Sequence, residues 1–218
     1  MKIYLFILIL AVIGFVPRLV VAHPTSSQGT LSLMGEHSED MSHYDVIYSL
    51  KYWLGLGARM HQQRYLLGKT DVALGTMGFL LYRSNGEEHQ GNVYLVGGAG
   101  NAWFKDLDNN TLNDDFAYST GIQADYETRK IYTLAKYENI KTKNDIISEY
   151  YELRAGFAPF VAGYYDLNAW FILQATMDRA ESESIDLAPV IRLFYKNVLT
   201  EFGSTIDGNF IFNFMVHY

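Results

Sequence analysis

The sequence predicts an all-β fold: a closed antiparallel up-and-down transmembrane β-barrel of about twelve strands, with eight to twelve compatible with the pattern. Three observations predict it. Apolar and polar side chains alternate with a period of two, and many of the alternating segments run for ten or more residues. The composition combines 17 Tyr, 13 Phe and 3 Trp with only 19% charged residues, which is unusual for a soluble domain.

Residues 1–22 have the layout of a secretory signal peptide. Lys2 supplies a positive start, residues 3–16 are an apolar run, and Val20, Val21 and Ala22 offer small side chains for cleavage. We expect cleavage near Ala22 and a barrel over residues 23–218, in which residues 23–42 form a polar N-terminal segment with a candidate first strand. An uncleaved anchor is the alternative, although the apolar run is short for a membrane-spanning helix.

Composition excludes several classes of function. Cysteine is absent, so disulfide scaffolds, thiolate zinc sites and thiol catalysis are ruled out. The net charge of −7 argues against nucleic acid as a partner. No cofactor is expected. The Gly97-Gly98-Ala99-Gly100 segment lacks the Lys-Ser/Thr ending of a phosphate loop, and we interpret these glycines as residues that permit strand curvature or relieve crowding.

The strands can be placed in order from alternation and from turn residues between the runs. They are predicted at 29–35, 43–53, 55–66, 69–83, 90–104, 115–126, 128–139, 146–160, 166–178, 185–195, 197–204 and 208–218. Within 71–83 and 92–100 both faces are apolar or glycine, so alternation assigns no inward face there. From residue 105 onward, longer polar loops alternate with tight turns near Glu127, 163–166 and 196–197, as in outer-membrane barrels.

The apolar face must meet either lipid or a protein core. A soluble β-sandwich would turn it inward, but aromatic residues at strand ends and charges on the opposite face favour lipid outside and a polar lumen inside. The candidates for lining the lumen are Asp125, Glu152, Arg154, Gln174 and Arg192. These residues could tune the selectivity of a pore, or they could form an interior salt-bridge network that fills a narrow barrel.

The last eleven residues carry the most specific motif. An alternating apolar series ends on the terminal aromatic residue and comprises Phe210, Phe212, Phe214, Val216 and Tyr218. This series resembles the C-terminal signal of bacterial outer-membrane β-barrels. The segments 97–103, 123–129 and 169–174 are similar to an uncharacterised family of small proteobacterial outer-membrane proteins. The resemblance implies a Gram-negative outer membrane as location, and lipid and the barrel assembly machinery as partners; it implies no oligomeric state.

Three functions are compatible with this sequence. The first is a structural or narrow-pore, porin-like transport role with no defined substrate. The second is copper binding by an N-terminal group of imidazoles and thioethers, namely His23, Met34, His37, Met41 and His43. The third is a soluble periplasmic barrel or sandwich that binds a small ligand. An enzyme is not expected, because no Ser, His and carboxylate arrangement is recognisable, although triad partners need not be close in sequence.

Overall fold

A computed structural model describes residues 27–65, 68–106, 112–163 and 165–218. The expected signal peptide and His23 lie outside these residues. Twelve strands are present: β1 Leu31–His37, β2 Met41–Lys51, β3 Leu54–Tyr65, β4 Gly68–Asn85, β5 His89–Asp106, β6 Leu112–Thr128, β7 Ile131–Thr142, β8 Ile146–Phe157, β9 Asn168–Asp178, β10 Asp186–Tyr195, β11 Val198–Ser204 and β12 Phe210–His217. Among the described residues, no helix has the length and apolarity needed to cross a membrane.

The strands form one closed barrel in which each is antiparallel to its neighbours in sequence, and β1 pairs with β12. The predicted all-β up-and-down barrel of about twelve strands is therefore confirmed. The β-sandwich alternative is wrong, because a single sheet closes on itself instead of two sheets packing face to face. Closure also leaves no strand edge of this sheet unpaired.

The barrel has two distinct ends. The terminal end holds the start of β1, the end of β12 and the connections 52–53, 86–88, 129–130 and 196–197, and β8 ends and β9 begins at the same end. The loop end holds the connections 38–40, 143–145, 179–185 and 205–209. The expected alternation of long loops and tight turns holds only partly, since β8 ends at Phe157 and β9 begins at Asn168, which is more than a tight turn at the terminal end.

Side chains alternate between a polar interior and an apolar exterior. On β6, Phe116, Ile122 and Tyr126 are exposed, whereas Ser119 and Asp125 are buried inside. The structure also assigns the inward face on β4 and β5, where Val72, Leu74, Asn92 and Tyr94 are buried. A register shift between Leu80 and Tyr82 reverses the alternation near the end of β4, because a bulge adds one unpaired residue. The bulge breaks the period of two only at the end of β4; over the rest of 71–83 and over 92–100, alternation assigned no inward face because both faces are apolar or glycine.

The seam between β1 and β12 is closed by backbone and side-chain contacts. The amide of Tyr218 donates to the carbonyl of Leu31 at 2.8 Å, and the amide of Leu31 donates back at 3.0 Å. Gly35 pairs with Phe214, and the Phe214 ring occupies the place of a Gly35 side chain. Inside the barrel, the His217 imidazole is buried and its Nδ1 lies 2.7 Å from Ser32 Oγ.

Candidate functional site

The polar interior contains an ion-pair cluster centred on Asp45 of β2. Arg59, directly opposite on β3, donates from Nε and Nη2 to the two Asp45 oxygens, each at 2.8 Å. His43 Nε2 lies 3.0 Å from the same carboxylate. Arg59 also pairs with Glu138 of β7, so this contact crosses the lumen. Lys136 Nζ lies 3.8 Å from Glu138 and 3.5 Å from Glu36 of β1.

A second cluster is centred on Glu201 of β11. Arg192, opposite on β10, donates from Nε to Glu201 Oε1 at 2.6 Å. Arg154 of β8 and Asn213 of β12 both donate to Oε2 at 2.8 Å. Arg154 also pairs with Glu152 on its own strand. Glu201 is only 1% exposed, so its charge depends on these donors for compensation.

Aromatic and amide groups extend these clusters towards the terminal end. The Arg192 guanidinium lies over the Tyr132 ring, 4.1 Å from its centroid, in a cation–π contact. Asp125 of β6 accepts hydrogen bonds from Asn92 Nδ2 at 2.7 Å and from Gln123 Nε2 at 3.3 Å. The first contact links β10 to β7, and the Asn92–Asp125 hydrogen bond links β5 to β6 on the inside of the barrel.

Side chains fill much of the lumen around a central cavity of about 140 Å³. Its lining includes carboxylates and cations from both clusters, with Tyr132 and Leu199 at the wall. Two apolar groups fill other parts of the interior. The first comprises Val72, Leu74, Ala102, Ala117, Ile140 and Ile147. The second comprises Tyr132, Ala158, Trp170, Ile172, Ala188, Val190 and Ile211. The interior is therefore a packed, charged constriction with small cavities.

A separate cavity of about 230 Å³ opens at the loop end, and we call it the vestibule. Its carboxylates are Glu36, Glu39, Asp40, Asp178, Glu181 and Asp186. The described lining contains one guanidinium, Arg154, which is already engaged by Glu152 and Glu201. Burial and the carboxylates of Asp40, Asp178 and Asp186 raise the pKa of Glu181 above its usual value. The vestibule is thus negatively charged.

No family model matches the chain, and no curated protein does either. A solved structure of the KdgM porin in complex with disordered oligogalacturonate is similar at 11% identity and a TM-score of 0.48, over 87% of this chain and 98% of that one. Outer-membrane expressed OmpT of Vibrio cholerae is similar at 10% identity and a TM-score of 0.30, over 92% and 100%. These similarities concern the barrel alone.

The structure places the five predicted lumen-lining residues inside the barrel. Asp125, Glu152, Gln174 and Arg192 are buried, and Arg154 is held between two carboxylates. The contacts of Glu152, Arg154 and Arg192 correspond to an interior salt-bridge network, one of the two roles that the sequence left open. Their effect on the selectivity of a pore stays a prediction. The outward-facing residues of β12, which carry the predicted assembly signal, likewise keep that role as a prediction.

The four predicted copper ligands among the described residues are divided between two cavities, and copper binding by them stays a prediction. Met34 and His43 line the central cavity, whereas His37 and Met41 line the vestibule. His37 Nδ1 lies 2.8 Å from Ser42 Oγ, and His43 is engaged by Asp45. Across residues 27–65, 68–106, 112–163 and 165–218, no three His, Asp or Glu side chains are placed to hold a metal ion.

Sequence reasoning missed the centres of both ion-pair clusters. Asp45 stands on the polar face of a clearly alternating strand, so its inward direction was available from the pattern. Arg59, the partner of Asp45, also binds Glu138 of β7, which lies four strands further along the chain than β3. Alternation tells which face a residue occupies, but it contains no information on which residues meet across a lumen.

Proposed function

We propose that this chain is a bacterial outer-membrane β-barrel with a porin-like, narrow-pore role and no enzymatic activity. One observation carries the membrane part of the proposal: the barrel is inverted relative to a soluble protein. Ionised side chains such as Glu201 and Asp45 are buried inside, while large apolar side chains are exposed around the outside. Among them are Val46, Leu56, Met60, Leu95, Ile122, Leu153, Leu173, Ile191 and Phe202. Such an apolar exterior is stable only against lipid.

The narrow-pore role is supported by the charged constriction. Cations and carboxylates from non-adjacent strands meet in the lumen, whereas a purely structural barrel could fill this space with apolar side chains at a lower desolvation cost. Water-filled charged constrictions select small polar solutes by charge and size. In this proposal the terminal end faces the periplasm and the loop end, with its vestibule, faces the outside.

Fractionation and gel mobility test the membrane part. The protein should be recovered in the outer-membrane fraction, and its unboiled and boiled forms should migrate differently in SDS gels, because closed barrels resist SDS until heated. Recovery in the soluble periplasmic fraction with no mobility shift would instead support the soluble ligand-binding alternative.

Planar-bilayer recording of the refolded barrel tests conduction. We expect small, discrete conductance steps, and we expect Arg154→Ala to enlarge them by removing a guanidinium from the constriction. An outward-facing control, Ile191→Ala, should leave the steps unchanged because Ile191 lies on the exterior and does not line the central cavity. A barrel that inserts stably but shows no steps in either form would contradict the pore role and leave a structural one.

A further inference from the structure

The vestibule has a feature that its acidic residues do not explain. Gln63 of β3 and Gln174 of β9 line it and are 2% and 4% exposed. The side-chain carbonyl oxygen of each accepts no hydrogen bond from any described residue. Native proteins rarely leave a buried acceptor unpaired, because its desolvation is then uncompensated. These two oxygens therefore indicate that a hydrogen-bond donor from outside the chain belongs in the vestibule.

The orientation of the Gln63 amide is set by its neighbour. Gln63 Nε2 lies 3.2 Å from Glu181 Oε2 and donates to it, so a flipped amide would place two acceptors against each other. The unpaired Gln63 oxygen is thus a consequence of the Glu181 contact. A donor that satisfies this oxygen would sit beside the Glu181 carboxylate.

The negative charge of the vestibule indicates that the donor belongs to a positively charged ligand. The carboxylates of Glu39 and Asp40 come from the 38–40 connection, and those of Glu181 and Asp186 come from the opposite 179–185 connection and the start of β10. Asp178 is held by Ser148 Oγ at 2.7 Å and by backbone amides. A positively charged ligand with several N–H groups would satisfy both the carboxylates and the two amide oxygens.

The spread of these groups distinguishes an organic cation from a metal ion. A bound metal needs several ligands converging on one point, and the described residues provide no such group of His, Asp and Glu. Acceptors dispersed around a cavity of about 230 Å³ suit instead an elongated molecule with separate ammonium groups. We propose that the vestibule binds a linear organic polycation of the diamine or polyamine class.

Calorimetric titration of the folded barrel in detergent micelles tests this site, and it does not depend on whether the barrel conducts. The probes are 1,6-diaminohexane, the uncharged 1,6-hexanediol, the anionic adipate and magnesium chloride. We expect saturable binding of the diamine and none of the diol or adipate. Absence of diamine binding, equal binding of the diol, or tighter binding of magnesium would each overturn the proposal.

Two substitutions in one loop locate the binding. Glu181→Gln should weaken diamine binding about tenfold, because a charge-assisted hydrogen bond is lost from the vestibule. Glu183→Gln makes the same change two residues away, on a side chain that is 86% exposed and does not line the vestibule, and it should leave binding unchanged. Equal weakening by both would show a non-specific charge effect and contradict the site.

A third variant tests the Gln63 amide, whose oxygen is unpaired and whose N–H group donates to Glu181. Gln63→Met keeps the length of the side chain and removes both groups; because the released Glu181 carboxylate stays available to the ligand, we expect the loss of the oxygen to make diamine binding about fivefold weaker than in the parent barrel. Gel heat-modifiability of the variant shows that the barrel still closes. A closed Gln63→Met barrel that binds the diamine as tightly as the parent would contradict the role assigned to this oxygen.

The pH dependence of binding supplies an independent readout. Burial and neighbouring carboxylates raise the pKa of Glu181, so this group takes up a proton at a higher pH than an ordinary glutamate. A bound cation favours its ionised form. Diamine affinity should therefore fall as the pH is lowered through this raised pKa, and Glu181→Gln should flatten that part of the profile. An unchanged profile in Glu181→Gln would contradict the contact.

Discussion

Glu201 shows how a buried charge is kept in this barrel. Its two carboxylate oxygens receive donors from three strands: Arg192 of β10, Arg154 of β8 and Asn213 of β12. A charge removed from water is tolerated only when such partners replace its hydration. Glu201 thus lies between two guanidinium groups, those of Arg192 and Arg154. Arg154 also binds a second carboxylate, that of Glu152. The cluster is therefore sensitive to the loss of any single member.

Glu201→Gln should destabilise the folded barrel by about 3 kcal/mol, since Arg192 loses its carboxylate partner and Arg154 loses one of two. Urea unfolding in micelles, followed by tryptophan fluorescence, measures the free energy of unfolding. The double variant Glu201→Gln, Arg192→Met should recover part of the loss, because it removes the charge left unpaired. A single variant as stable as the parent would show that water already compensates these charges.

At some positions in the strands only glycine fits, because a side chain there would collide with the neighbouring strand. Gly100 of β5 lies opposite Leu74 of β4, and a Cβ at this position would collide with the backbone carbonyl of Ala73. Gly75 of β4 has no atom closer than 3.9 Å to the place of its Cβ. Gly100, one of the glycines that the sequence predicts to relieve crowding, therefore has no room for a side chain, whereas Gly75 has.

Gly100→Ala should destabilise the barrel by about 1–3 kcal/mol, because the added methyl group forces β4 and β5 apart. Gly75→Ala is the matched control and should be neutral or slightly stabilising, because alanine restricts the unfolded chain. The same urea titration compares them. Equal effects of the two substitutions would mean that the β4–β5 pair relaxes around Gly100 without cost.

The whole molecule is organised by the inversion of its two faces. Leu153 of β8 is 62% exposed on the outside, and its sequence neighbours Glu152 and Arg154 belong to the interior network. A soluble protein would become more soluble if such exposed apolar side chains were replaced by charged ones. A barrel in lipid would lose membrane stability from the same exchange.

Leu153→Arg should reduce outer-membrane recovery and destabilise the inserted barrel by about 2–4 kcal/mol, the cost of arginine near the middle of a bilayer. Glu183→Arg introduces the same side chain into the 179–185 loop and should have little effect. The measurements are the membrane-to-soluble ratio and folding into lipid vesicles. A Leu153→Arg protein that remains folded and becomes more soluble would contradict the membrane assignment.

Much of this molecule follows from local pattern alone. The twelve strands, their antiparallel order and the interior position of residues such as Glu152 and Arg192 were predictable, because a period of two is a property of neighbouring residues in the chain. Only the tertiary structure decided which charges meet across the lumen, where the bulge in β4 reverses the faces, and that Gln63 and Gln174 share one cavity. These features depend on the register and closure of the barrel, which bring together residues that are far apart in sequence.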